Sequence, residues 1–89
     1  MVYTEEYLTN AHKHSAANKE AILLSEYCGC FYCFQVFPPD EIINWAEDEN
    51  GNGDTAICSY CGIDSVLGSS SGLPVTRAVF LEEMNKRWF

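Results

Sequence analysis

Hydrophobic and polar positions divide the chain into a helical start, a strand-rich middle and a helical end. Near the end, Phe80, Met84 and Trp88 recur every four residues, which places them on one face of a helix. Thr76 is a candidate N-cap for this helix. The pattern therefore predicts a C-terminal helix within residues 73–89.

The start of the chain carries the signature of a capped helix. Thr4 precedes two acidic residues, and acids in the first turn of a helix suit its dipole. Ser15 is a second candidate start, because apolar residues at helical spacing follow it. Residues 1–27 are therefore predicted to be helical, as one helix or as two.

The middle of the chain has the composition of strands and turns. Residues 29–36 are rich in aromatic and β-favouring types, and the two prolines that follow end this strand. Residues 50–53, with the sequence Asn-Gly-Asn-Gly, are a strong turn signal. Strands are predicted at residues 55–57 and 63–67, and a flexible loop at residues 68–72.

Four of the five cysteines form two pairs. Two residues separate Cys30 from Cys33 and Cys58 from Cys61, and 24 residues lie between the pairs. Two Cys-x2-Cys turns supply the tetrahedral sulfur set that zinc takes, with Zn–S bonds of about 2.3 Å. We therefore predict one structural zinc ion on Cys30, Cys33, Cys58 and Cys61. Iron also suits four sulfurs, but zinc is the usual structural ion, and four protein ligands leave no position for a reacting water.

The fifth cysteine, Cys28, has several possible roles. In the sequence Cys28-Gly29-Cys30 it can replace Cys30 as a ligand, although Cys-x2-Cys is the commoner ligand spacing. It can equally be a packed thiol near the site. A nucleophilic Cys28 with His12 or His14 as its base is a further alternative, which nothing in the spacing requires.

A metal site of this kind decides the predicted fold. A domain of 89 residues has a small core, and a structural zinc ion contributes roughly 10–16 kcal/mol of apparent binding free energy. We predict a single zinc-stabilised α+β domain over residues 1–89, with a zinc ribbon of β-hairpins at residues 28–68 between the two helical parts. The metal-free chain is expected to be unfolded or molten.

Charge limits the classes of partner. The chain has 13 acidic and 5 basic residues, a formal net charge of −8, and no lysine or arginine between Glu20 and Thr76. Binding to nucleic acid depends on basic side chains, so direct nucleic-acid binding is not expected. The acidic surface instead predicts a protein partner, such as a basic or nucleic-acid-binding protein.

The start of the sequence lacks the basic and apolar regions of a signal peptide, and no apolar run is long enough to cross a bilayer. A cytoplasmic location without a membrane partner is therefore expected. Thiols stay reduced there, which favours metal ligation over disulfides.

Three segments resemble a family of small bacterial proteins described only as cytoplasmic proteins. They are Cys-Gly-Cys-Phe-Tyr-Cys at 28–33, Cys-Ser-Tyr-Cys-Gly-Ile-Asp-Ser-Val-Leu-Gly at 58–68, and Leu-Glu-Glu-Met-Asn-Lys-Arg-Trp-Phe at 81–89. The resemblance covers most of the chain from about residue 12. It implies a zinc-ribbon or treble-clef-like domain and no activity. The cysteine turns also look rubredoxin-like, except that Phe34 stands where a glycine is expected, which weighs against electron transfer.

These observations favour a non-enzymatic structural-zinc protein that acts through protein–protein interaction on its acidic surface. One alternative is an acidic inhibitor, encoded by a phage or mobile element, that mimics nucleic acid in the groove of a host defence protein. A second alternative is an enzyme that depends on Cys28. The pattern leaves open whether Trp88 and Phe89 are buried or form an interface.

Overall fold

Helices flank a strand-rich middle in the computed structural model of this protein, which describes residues 3–89. Within this range, the α-helices are α1 (Glu5–His12), α2 (Lys19–Leu23) and α3 (Ala78–Trp88). The strands of the same range are β1 (Cys28–Cys30), β2 (Val36–Phe37), β3 (Asn44–Ala46), β4 (Thr55–Ile57) and β5 (Val66–Gly68). Short 3₁₀ turns lie at Lys13–Ser15, Pro39–Glu41 and Ser69–Ser71. The predicted α+β class is confirmed.

The N-terminal part contains two helices. Thr4 caps α1 as predicted, because its side chain accepts the N–H of the residue three positions later at 3.1 Å. Ser15 does not start the second helix: its hydroxyl donates to the His12 carbonyl at 2.6 Å and closes the first one. Ala17 then takes a left-handed conformation with φ of 49°, and α2 begins only at Lys19.

The strands form two antiparallel sheets. One sheet has the order β2-β1-β5, and the other pairs β3 with β4. The predicted turn at residues 50–53 connects β3 to β4, and the Asp48 carboxylate closes it by accepting the N–H groups of Asn50 and Asn52 at 2.9 and 3.0 Å. β4 and β5 flank the second cysteine pair but belong to different sheets, so these two strands do not form the expected hairpin.

A buried asparagine joins the two sheets. The Asn18 side-chain amide accepts the Ala56 N–H of β4 at 3.0 Å and donates to the Val66 carbonyl of β5 at 2.9 Å. It also donates to the His14 carbonyl at 2.9 Å. Because a buried backbone group without a partner is unfavourable, this amide takes the place of the missing ladder between β4 and β5.

Two apolar clusters lie on opposite sides of the three-stranded sheet. The first joins α1 and α3 to the sheet through Leu8, Ala11, Phe31, Leu67, Val75, Phe80, Leu81 and Met84. The second surrounds the cysteines and contains Ile22, Cys28, Cys30, Phe37, Ile42, Ala56, Cys58 and Val66. Successive strand residues point to opposite faces, so β1 directs both of its cysteines into the second cluster and Gly29 towards the first. A Cβ on Gly29 would collide with the Val75 carbonyl oxygen.

The C-terminal helix is shorter than predicted. It begins at Ala78, so residues 73–77 are not helical, and the Thr76 side chain does not cap it. Leu73 precedes a proline, which disfavours the helical conformation, and Val75 is drawn into the core beside Gly29. Phe80 and Met84 are buried on the predicted face.

The serine-rich segment at residues 68–72 is ordered rather than a free loop. Gly68 is in β5, and the serines after it form the 3₁₀ turn Ser69–Ser71. Ser69 Oγ accepts the N–H groups of Glu26 and Tyr27 at 3.0 and 3.2 Å, and Ser70 Oγ donates to the Ala21 carbonyl at 2.6 Å. These bonds tie the segment to the end of α2.

Across residues 3–89, the helices are too short or too polar for any of them to cross a membrane.

Candidate metal centre

Each cysteine pair lies in a tight turn after a strand: knuckle 1 at residues 30–35 and knuckle 2 at residues 58–63. The Cys30 carbonyl accepts the Phe34 N–H at 2.9 Å, and the Cys58 carbonyl accepts the Gly62 N–H at the same distance. The N–H of each of these two cysteines donates at 3.0 Å to the carbonyl five residues further on. The two knuckles therefore repeat one backbone geometry.

Backbone N–H groups also lie beside the first sulfur of each knuckle. Tyr32 N is 3.4 Å from Cys30 Sγ, and Tyr60 N is 3.4 Å from Cys58 Sγ. An N–H donated to sulfur stabilises the thiolate, which is the form that binds a metal. The fold of each knuckle thus favours an anionic sulfur before any ion binds.

The knuckles differ at the residue after the second cysteine. Gly62 has a φ of 77°, and Phe34 has a φ of 67° at the same position. Glycine adopts this left-handed conformation freely, whereas for a residue with a Cβ it is unfavourable by about 1–2 kcal/mol. The departure from glycine noted in the sequence therefore leaves the turn intact and places a strained phenylalanine beside the cysteines.

The two knuckles bring their four thiols together. Cys30 Sγ lies 3.7 Å from Cys61 Sγ, and Cys33 Sγ lies 3.6 Å from Cys58 Sγ. All four sulfurs lie within 4.8 Å of one another, and no disulfide joins them. Zn–S bonds of about 2.3 Å in a tetrahedron give S–S edges of about 3.8 Å. The Sγ–Sγ distances between the two knuckles therefore fit a tetrahedrally bound ion, and these four residues can hold one metal.

Burial and hydrogen bonds make the four thiols unequal. Cys30 and Cys58 are buried, whereas Cys33 and Cys61 are half-buried. Burial alone would raise the pKa of Cys30, but a hydrogen bond with Ser65 and the backbone N–H groups of knuckle 1 lower it below its usual value. Ser65 Oγ lies 2.9 Å from Cys30 Sγ and is itself buried.

The remaining thiols resist ionisation unless a cation is present. Burial, together with interaction with Cys30 and Cys58, raises the pKa of Cys33 to about 11. Burial and the same neighbours raise the pKa of Cys61. Several thiolates within 4.8 Å of one another repel, so the deprotonated set requires a positive ion at its centre.

Cys28 is outside the group of sulfurs that can hold a metal within residues 3–89. It is fully buried in the second apolar cluster, and burial raises its pKa to about 11. His12, a candidate base in the sequence, packs its ring against Trp88 at 4.0 Å between ring centres. This setting is that of a packed thiol and disfavours a nucleophilic Cys28.

The last two side chains have different environments. Trp88 is half-buried, packs on the first apolar cluster and carries the Arg87 guanidinium over its ring at 4.9 Å. Phe89 is 59% exposed, yet its ring lies 5.8 Å from Phe31 and 4.8 Å from Tyr32. The end of α3 thus reaches the side of knuckle 1.

Sequence reasoning missed two groups near the centre. The Ser65 hydroxyl contacts the Cys30 sulfur. The Glu41 carbonyl accepts a hydrogen bond from Ser59 Oγ at 2.6 Å, and the Glu41 carboxylate accepts one from the Tyr60 hydroxyl. Both groups contact the knuckles from distant segments. The one available signal was a serine within the predicted apolar strand at residues 63–67.

The fold and the site define a small α+β protein with a four-cysteine centre that can hold a metal ion. Comparisons with protein-family models, curated proteins and solved structures found no match for this chain.

Proposed function

We propose that the chain is a structural-zinc protein that acts by binding another protein. The observation that carries the first part is the pair of Sγ–Sγ contacts between the knuckles, 3.6 Å for Cys33–Cys58 and 3.7 Å for Cys30–Cys61. Cys30, Cys33, Cys58 and Cys61 would hold the ion. Both pairs lie in turns that follow antiparallel strands, which supports a ribbon-type zinc domain related to the small bacterial family that the sequence resembles.

Zinc suits this donor set better than iron in a structural role. Four thiolates complete a tetrahedron, so a bound zinc ion would supply charge neutralisation and a cross-link, with no open position for substrate. The protein stabilises the thiolates that would bind the ion. Ser65 and the Tyr32 N–H stabilise negative charge on Cys30, and the Tyr60 N–H does so on Cys58. Four thiolates and one divalent ion change the formal net charge from −8 to −10.

The metal identity is tested on protein purified without added metal. Elemental analysis should find one zinc per chain, and Co²⁺ replacement should produce the absorption bands of tetrahedral thiolate coordination. A protein that is fully folded and carries no transition metal would contradict the structural-zinc proposal.

The surface supports the second part of the proposal. All nine acids in the Lys- and Arg-free stretch from residue 20 to residue 76 are exposed or half-buried. In the part of the chain that the structure describes, Lys19 and Asp54 form the one ion pair, at 3.7 Å. Among residues 3–89, the other acids therefore lack a basic neighbour within 4.0 Å and present negative charge to a partner.

Affinity capture from the native cell with identification by mass spectrometry tests this part. We expect basic proteins that are released as the salt concentration rises to about 1 M, where charge interactions are screened. Capture of proteins that stay bound at that salt concentration would show that charge does not guide the interaction.

The same charge distribution supports a second candidate, an inhibitor that mimics nucleic acid. In that case the captured protein should be one that binds nucleic acid, and DNA or RNA should displace the chain from it. An adaptor with a different binding site would stay bound when nucleic acid is added.

A further inference from the structure

Phe34 combines two unfavourable features at the surface beside the four cysteines. Its backbone is in the left-handed conformation, and its side chain is 44% exposed. At the same position of knuckle 2, Gly62 adopts the same left-handed conformation without strain and without an exposed side chain. The metal-binding turn therefore does not need this side chain. A strained backbone position whose exposed side chain the turn does not require points to a functional role for that side chain.

The ring of Phe34 is also left without an aromatic neighbour. Within residues 3–89, the other exposed aromatic residues of the knuckles make ring contacts: Tyr32 packs on Phe89 at 4.8 Å and Tyr60 on Phe37 at 5.5 Å. Phe34 makes no such contact in the described chain and is not part of either apolar cluster. The exposed part of its ring is thus available to a partner.

Negative charge lies on or beside both knuckles. The adjacent Cys33 belongs to a set of thiolates that, with one divalent ion, carries a formal charge of −2. Exposed Asp64 follows knuckle 2, and Glu41 is hydrogen-bonded to Tyr60 of the same knuckle. By contrast, Lys86 and Arg87 line a groove between α1 and α3.

We propose that Phe34 is the apolar anchor of a docking surface for a basic protein segment. The surface consists of knuckles 1 and 2, and the segment would place an apolar side chain on Phe34 and lysine or arginine beside the thiolate centre, Glu41 and Asp64. A second copy of the chain is a poorer occupant, because two surfaces of a protein with a net charge of −8 repel. This inference rests on the proposed function and specifies its site and partner chemistry.

A displayed library of random linear peptides, selected on the zinc-loaded protein, tests this proposal. The selected peptides should combine lysine or arginine with an apolar residue. Phe34→Gly should weaken their binding at least about tenfold, since truncation of a central anchor has an effect of this size. Val79→Ala, which truncates a 48% exposed side chain on α3, is the matched control and should leave the affinity unchanged.

Zinc content and thermal midpoint are measured for each variant first. If the wild-type protein holds no zinc, the proposed structural-zinc function fails, whatever the peptides show. Two other outcomes, each with one zinc in all proteins, overturn only the docking proposal. In the first the selected peptides are acidic, and in the second they bind the Phe34→Gly variant as tightly as the wild type. Failure to enrich any peptide, or a dimer in sedimentation that Phe34→Gly dissociates, would also overturn it.

Discussion

Phe34 and Gly62 occupy the same position in the two knuckles, with φ angles of 67° and 77°. Each donates its N–H at 2.9 Å to the carbonyl of the first cysteine of its pair. The two turns are thus the same structure built from different residues, and the side chain of Phe34 is additional to what the turn requires.

We expect Phe34→Gly to raise the free energy of unfolding of the zinc-loaded protein by about 1 kcal/mol, because the left-handed conformation then carries no steric penalty. Gly62→Ala should lower it by about 1 kcal/mol, since an added Cβ meets nothing within 4 Å and only the backbone conformation is affected. Urea unfolding followed by circular dichroism measures both changes. A loss of stability in Phe34→Gly would mean that the ring supports the fold.

Removal of the metal should unfold the protein. The two cysteine pairs come from separate segments, and the core of an 89-residue chain supplies only a few kcal/mol. A strong chelator at neutral pH should therefore abolish the near-ultraviolet circular dichroism, and added zinc should restore it. Retention of a cooperative thermal transition without metal would contradict this expectation.

Single cysteine variants separate ligands from the packed thiol. Cys61→Ser should lose most of the zinc and at least about 3 kcal/mol of stability, because one thiolate is missing from the set. Cys28→Ala is the matched control: it should retain one zinc and lose only about 1 kcal/mol through a small cavity. Equal zinc loss in both variants would show that Cys28 takes part in ligation.

Cys28 should react slowly with alkylating agents in the folded protein. Burial disfavours its thiolate and raises its pKa to about 11, so at pH 8 it has about a hundredfold less thiolate than a thiol of pKa 9. Its alkylation rate should increase with pH until about pH 11, as measured by mass spectrometry. Rapid modification at neutral pH would revive the alternative of a Cys28-dependent enzyme.

Asn18→Ala should lower the free energy of unfolding by about 3 kcal/mol. The variant leaves the buried Ala56 N–H and Val66 carbonyl without partners. Asn10→Ala, at an exposed position of α1, controls for the substitution itself and should change stability by less than about 0.5 kcal/mol. Comparable effects of the two substitutions would show that the amide bridge contributes nothing.

Local features of the sequence predicted much of the structure. Thr4 caps α1, residues 50–53 form a turn, and the two Cys-x2-Cys spacings identify the four thiols that the structure brings together. Each depends on residues within a few positions of one another, where backbone geometry and side-chain type decide the conformation. The zinc ion and the protein partner inferred from these features stay proposals.

The tertiary structure alone decided which distant segments meet. It placed β4 and β5 in different sheets joined by Asn18, excluded Cys28 from the thiol group, and ordered the serine segment against α2. These outcomes depend on how buried polar groups find partners and how the two clusters share one sheet. The sequence by itself therefore determined the knuckles, whereas packing over long chain separations determined how they face each other.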